Sequence, residues 1–145
     1  MVEQFKFSIN IRPRATDEYR GTGMVYMSTY LDWMEDTVNA YVEKLGLVTP
    51  PNLAPVPLRQ EITYHSPLMI SEEAKVSNRT TRLGRSSMVQ DLQITEARSG
   101  RLIVTIMAVG VWMDLKTGRS APIPDEWKQK VIAFEGKANV EVAEG

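Results

Sequence analysis

The chain has 145 residues, 43% of them hydrophobic and 24% charged, a size and balance that fit one ordinary core. A formal charge of −1 and a pI near 5.9 argue against a nucleic-acid surface. The absence of cysteine excludes disulfides, thiolate nucleophiles and cysteine-based metal sites, and a single histidine, His65, excludes a His-rich metal site within one chain. Nothing favours an all-carboxylate magnesium or calcium site, so neither a metal nor another cofactor is expected. The N-terminal stretch MVEQFKFSIN lacks the apolar core of a signal peptide, and no apolar run approaches the roughly 18 residues that span a bilayer. A cytoplasmic protein without membrane attachment is expected.

Phe5, Phe7, Ile9 and Ile11 alternate with polar residues up to Pro13, the period of a strand with one buried face. A loop rich in glycine and acidic residues follows and leads into a helix from Met27. There the apolar positions Tyr30, Leu31, Met34, Val38, Tyr41, Val42 and Leu45 recur three and four apart, and Gly46 supplies a C-terminal cap. Thr49 to Pro57 carries four prolines and reads as an extended connector. Leu58 to His65, Ala74 to Leu83, Ser86 to Thr95 and Leu102 to Asp114 read as strands joined by short connections. The last of these is apolar on both faces and is expected to be covered on both sides, with Gly110 marking a bulge or a close backbone approach. Asp114 to Arg119 reads as a turn, Pro124 to Phe134 as a short helix, and residues 135–145 as a loosely held tail. These elements predict an antiparallel sheet with the long helix on one face and a second subunit against part of the other.

The junction of first strand and helix concentrates the chemistry. A helix start exposes backbone N–H groups without intrahelical partners and carries partial positive charge, so the amides of Gly23, Met24, Val25, Tyr26 and Met27 suit an oxyanion. Asp17 is the nearby carboxylate, and from the residues alone it reads first as an Asx-turn or helix cap. Glu35 and Asp36 on the helix are reserve acids that read first as solvated carboxylates. Tyr26 and Tyr30 line a pocket or pack on the sheet, with packing the simpler reading. His65, at a strand end with no local partner, reads as structural. Asn78-Arg79-Thr80 matches a glycosylation acceptor, which carries no meaning without a signal peptide.

Thr16-Asp17, Gly23-Met24-Val25-Tyr26, Tyr30-Leu31-Asp32-Trp33-Met34-Glu35, Thr81-Arg82-Leu83-Gly84-Arg85-Ser86-Ser87, Thr117-Gly118-Arg119 and Pro122-Ile123-Pro124 occur in an order that resembles the 4-hydroxybenzoyl-CoA thioesterase group of the hotdog superfamily. The resemblance runs to about Phe134 and implies an α+β hotdog fold, with a five-stranded antiparallel sheet wrapped around a long central helix. It also implies one domain over residues 1–134, a homodimer or homotetramer, and active sites at the subunit interface. The implied activity is hydrolysis of an acyl or aroyl thioester of CoA or acyl carrier protein. Met27 would be the main oxyanion donor, Asp17 the nucleophile or general base, and Arg82, Arg85, Ser86 and Ser87 the contacts to the pantetheine and nucleotide end of the ligand. Members of the group usually place two residues between this Asp and the Gly that opens the helix, whereas Glu18 to Thr22 intervene here. A related branch, the thioesterases of enediyne biosynthesis, resembles this chain in its Gly-x-Val-Tyr stretch and lacks the acid. The competing readings are a non-catalytic acyl-thioester-binding or assembly module of the same fold and, more weakly, a hotdog dehydratase, for which the lone His65 is ill placed.

Overall fold

A computed structural model of the chain describes residues 5–143; residues 1–4 of the N-terminal stretch and 144–145 of the tail lie outside that range. The period-two pattern at the N-terminus forms β1, Phe7–Ile11, with Phe7, Ile9 and Ile11 half-buried and Ser8 and Asn10 exposed. It pairs antiparallel with β3, Ala74–Leu83, setting Ile9 opposite Val76 and Ile11 opposite Ala74. Helix α1, Met27–Leu45, ends as its composition requires. Gly46 adopts a φ of 67°, its N–H donates to the Glu43 carbonyl at 3.1 Å, and Leu47 N–H donates to the Val42 carbonyl at 3.0 Å. Both bonds satisfy carbonyls that the helix end would otherwise orphan.

The buried face of α1 is rotated from the expected stripe. Tyr30, Met34 and Tyr41 are buried as expected, but Trp33 and Thr37 join them while Leu31, Val38, Val42 and Leu45 are only half-buried. Thr37 tolerates full burial because its hydroxyl donates to the Trp33 carbonyl at 2.9 Å. The arc 30, 33, 34, 37, 41 is as regular a helical face as the predicted one.

The remaining strands are β2 (Leu53–Tyr64), β4 (Ser87–Glu96), β5 (Leu102–Asp114), β6 (Arg119–Ser120) and β7 (Glu141–Val142), with a second helix, α2, at Asp125–Glu135. The sheet order is β1-β3-β4-β5-β2, with β6 antiparallel to β5 and β7 parallel to β3. One long helix inserted after the first strand, followed by this order of strands, is the hotdog arrangement that the sequence implies. The expected connector is shorter than its prolines suggest, since β2 begins at Leu53 and includes Pro55 and Pro57. Proline is tolerated because β2 ends the sheet, where a missing N–H need not break a ladder bond. At Gly110 a Cβ would meet the Val56 carbonyl oxygen at 3.5 Å, ordinary van der Waals contact. Val142, in the stretch read as a tail, pairs with Leu83.

The chain divides into two compact units. The first comprises Met1–Tyr41, Ile62–Asn78 and Leu92–Ile106, and among its fully buried side chains are Leu68, Val76, Ile103 and Val104. Phe7 meets Tyr41 edge-on at 5.6 Å, and Tyr30 meets Trp33 at 5.8 Å. The second comprises Val42–Glu61, Arg79–Asp91 and Met107–Gly145. There Trp112 and Trp127 meet edge-on at 4.7 Å, a geometry worth about 0.5–1.5 kcal/mol beyond the area it buries. The Trp127 indole N–H donates to the Val48 carbonyl at 2.8 Å and ties α2 to the segment after α1.

Candidate functional site

Asp17 closes a 3-10 turn, Ala15–Asp17, that stops β1 from running on. Its Oδ2 accepts from the Arg14 backbone N–H at 2.7 Å, and its Oδ1 accepts from the Arg14 guanidinium at 3.1 Å. The Asp17 side chain is 6% exposed and that of Arg14 77%, so one oxygen is pinned by backbone and the other by a solvated group. Burial pushes the Asp17 carboxyl upward, but the Arg14 N–H, guanidinium and charge together outweigh it and hold it below the ordinary aspartate value. Asp17 therefore carries charge at neutral pH and also serves as the local cap that its residue type suggests.

The extra residues between Asp17 and Gly23 form a looped-out hairpin. Tyr26 N–H donates to the Asp17 carbonyl at 2.8 Å, Glu18 bridges Val25, and Tyr19 N–H donates to the Met24 carbonyl at 2.7 Å. The tip turns through left-handed backbone at Arg20 (φ 47°) and Gly21 (φ 74°). The Glu18 carboxylate accepts from Gly23 N–H at 2.7 Å and draws the returning strand back. Gly23 has a φ of 82°, which favours glycine, and a Cβ there would lie 3.1 Å from the flexible end of the Met69 side chain, which would have to shift slightly. The consequence is that Asp17 lies across from Tyr26, one residue before the helix, despite the long intervening sequence.

Most amides of the junction already have acceptors. Gly23 N–H is taken by Glu18, Met24 N–H by the Thr22 hydroxyl at 3.2 Å, Val25 N–H by the Leu68 carbonyl at 2.8 Å and Tyr26 N–H by Asp17. Met27 and Ser28, the first residues of α1, have no acceptor among the described residues for their N–H groups. Of the five amides read from the sequence, Met27 is thus the one left free to bind an oxyanion. Met27 is 55% exposed. Beside it the Tyr26 ring stacks on Tyr19 at 5.3 Å, with the Arg20 guanidinium 5.5 Å from the Tyr19 ring centre.

The other candidates separate clearly. Tyr30 is buried, and its hydroxyl accepts from Leu68 N–H at 3.2 Å, which is packing with a satisfied polar tip. Glu35 and Asp36 are exposed on α1. His65 faces the Thr105 hydroxyl at 3.0 Å, a structural contact, and Asn78 is fully buried. At the β3–β4 turn, Arg82 pairs with Glu141 at 3.3 Å, whereas the exposed Arg85 side chain has no partner among the described residues. The Ser86 carbonyl accepts from Trp112 N–H and the Ser87 carbonyl from Gly84 N–H, both at 2.7 Å, leaving their side chains half-buried beside Arg85. Among the described residues no three His, Asp or Glu side chains gather to hold a metal ion, and no helix is long and apolar enough to cross a membrane. Sequence reasoning missed Glu18, Leu68 and Arg101, whose roles arise from contacts and not from local pattern.

The family model for the thioesterase-like superfamily matches residues 11–131. A thioesterase from Thermus thermophilus, solved with coenzyme A and Zn, is 27% identical, with a TM-score of 0.79 over 93% of this chain and 98% of that one. A putative thioesterase from Pseudomonas aeruginosa is 25% identical, with a TM-score of 0.76 over 87% and 98% of the two chains. A 1,4-dihydroxy-2-naphthoyl-CoA thioesterase from Synechocystis shares the fold at 18% identity, with a TM-score of 0.79 over 86% of this chain and 94% of that one. No curated relative matches the chain.

Proposed function

The chain belongs to the thioesterase-like superfamily, and on that premise we propose that it hydrolyses an acyl or aroyl thioester of coenzyme A or of an acyl carrier protein. The observation that carries this reading is the free Met27 N–H at the start of α1, with the ionised Asp17 held opposite the preceding residue. A thioester carbonyl is already electrophilic and its thiolate leaves readily, so the protein needs mainly an oxyanion donor and a base. Asp17 takes a proton from water as the water oxygen attacks the carbonyl carbon, and the displaced π pair becomes an oxyanion that accepts from Met27 N–H. Collapse of the intermediate re-forms the carbonyl and breaks the C–S bond, and the departing thiolate receives the proton from Asp17. Direct attack by Asp17, the nucleophilic variant, passes through a mixed anhydride that water then cleaves.

Arg85, with Ser86 and Ser87, is assigned to ligand phosphate, since a guanidinium without an acidic partner offers paired donors to two oxygens. Arg82 is assigned to the same end of the ligand, with its Nε engaged by Glu141. A second reading, a thioester-binding module without turnover, is favoured by one observation, the engagement of both Asp17 oxygens by Arg14. Release of free thiol from a panel of aromatic and aliphatic CoA thioesters and carrier-protein thioesters separates the two. Turnover of at least one class is expected, and binding of every class without thiol release would leave the module.

The assembly is proposed to be a homodimer or homotetramer joined along β2, whose 12 residues end the sheet with Leu58 67% exposed. The stretch of that edge beyond Pro57 keeps its backbone donors and invites pairing with another strand. Light scattering is expected to give two or four times the 16.4 kDa chain mass, and a monomer would refute it.

A further inference from the structure

We propose that Arg101 is a positioning residue for the Met27 amide, acting through the segment from Ser66 to Glu72. This rests on the reading of Met27 as the oxyanion donor. Arg101 lies at the entrance to β5, and every nitrogen of its guanidinium is used on this one segment. Nη1 and Nη2 grip the two Glu72 oxygens at 3.1 and 2.8 Å, Nη2 also donates to the Pro67 carbonyl at 3.0 Å, and Nε donates to the Ser66 hydroxyl at 3.3 Å. A single side chain thus fixes both ends of the segment. Glu72 passes the restraint inward, since its Oε1 accepts from Met69 N–H at 2.9 Å.

The middle of the segment holds the helix start. The Leu68 carbonyl accepts from Val25 N–H at 2.8 Å, and Leu68 N–H donates to the Tyr30 hydroxyl at 3.2 Å. Residues two before and three after Met27 are therefore bonded to the same residue, which brackets the free amide. Ile70 N–H adds a third tie, to the Gly23 carbonyl at 2.9 Å. An ion pair this exposed, with Arg101 at 40%, contributes little to global stability by itself. Its forked geometry instead confers direction, because only a planar guanidinium can serve Glu72, Pro67 and Ser66 together. A catalytic donor has to be held within a fraction of an ångström, and a displacement of about 1 Å costs roughly 100-fold in rate.

Arg101→Met and Arg101→Lys test the idea, with Arg98→Met on the same exposed turn as control. Both Arg101 variants are expected to lower kcat by roughly 10- to 100-fold with KM nearly unchanged, and to speed hydrogen exchange at the Val25 and Ile70 amides while Val76 and Ile94 keep wild-type protection. Lysine should fail to rescue, since it keeps the charge and loses the fork. Wild-type exchange at Val25 and Ile70 in Arg101→Met overturns the inference whatever the turnover, as does faster exchange with unchanged kcat, or full rescue by lysine. If the unmodified protein turns over no thioester while Arg101→Met still speeds exchange at those amides, the proposed function fails and the mechanical coupling stands.

Discussion

Met27→Pro is expected to slow thioester turnover by roughly 100- to 1,000-fold while leaving the fold in place. The substitution deletes one atom group, the N–H that no described residue of the chain accepts from. Proline is tolerated at the first helical position because its missing N–H is already an orphan there and its fixed φ suits the helix. Tyr26, the residue before it, lies outside α1, so the restriction proline places on its predecessor does not fall on a helical residue. Met27→Ala, which keeps the N–H and shortens the exposed side chain, should remain within a few-fold of wild type. Steady-state thiol release with far-UV circular dichroism reads both variants. Met27→Pro that folds and turns over normally would sink the assignment of the oxyanion donor.

Asp17→Asn should cut kcat by roughly 100- to 10,000-fold, the range of a lost general base. Asparagine keeps an oxygen for the Arg14 backbone N–H, so the 3-10 turn survives and the loss reports on chemistry and not on folding. The pH dependence has a defined sign. The folded carboxyl lies below its unfolded value, so the charged form and the stability it confers are fully present above about pH 4 and fade as pH falls through the lower folded value. Arg14→Ala removes the guanidinium and its charge while burial remains, so the acid limb of the rate profile should move to higher pH. Wild-type turnover in Asp17→Asn would remove the base role and favour a mechanism that relies on Met27 alone.

Periodic elements were legible in the residues, and contacts across the sequence were not. Ala74–Leu83 and Leu102–Asp114 form strands over the expected bounds, and the helix from Met27 ends where Gly46 predicts. The start of β2 was hidden because prolines forbid a central strand but not an outer one, and strand order is a tertiary fact. The rotation of the α1 face was hidden for a different reason, since threonine does not mark an apolar stripe, yet Thr37 can be buried with its hydroxyl donating to the Trp33 carbonyl one turn back. At the candidate site, the helix start after Gly23 could be read from the residues, whereas the spacing to Asp17 argued against that residue as its neighbour. The intervening residues are taken up by a hairpin closed through the Glu18–Val25 bridge and the Glu18 carboxylate, a contact that spacing alone does not reveal. Arg101 was out of reach altogether, because it meets Glu72 across 29 residues.

Pro55 and Pro57 have a further consequence for the life of this chain at high concentration. Alternate residues of a strand point their N–H groups to the same side, and a proline in an outer strand sits where that side faces away from the sheet. The first half of β2 therefore offers an incoming strand carbonyls but lacks two of the donors needed to continue a ladder. Repeated stacking of identical strands, the route to fibrils, demands an unbroken row of donors and acceptors. Only the stretch beyond Pro57 meets that demand, so a neighbouring copy has few registers to choose from. The same two residues that disguised the strand thus limit where this outer edge can be extended.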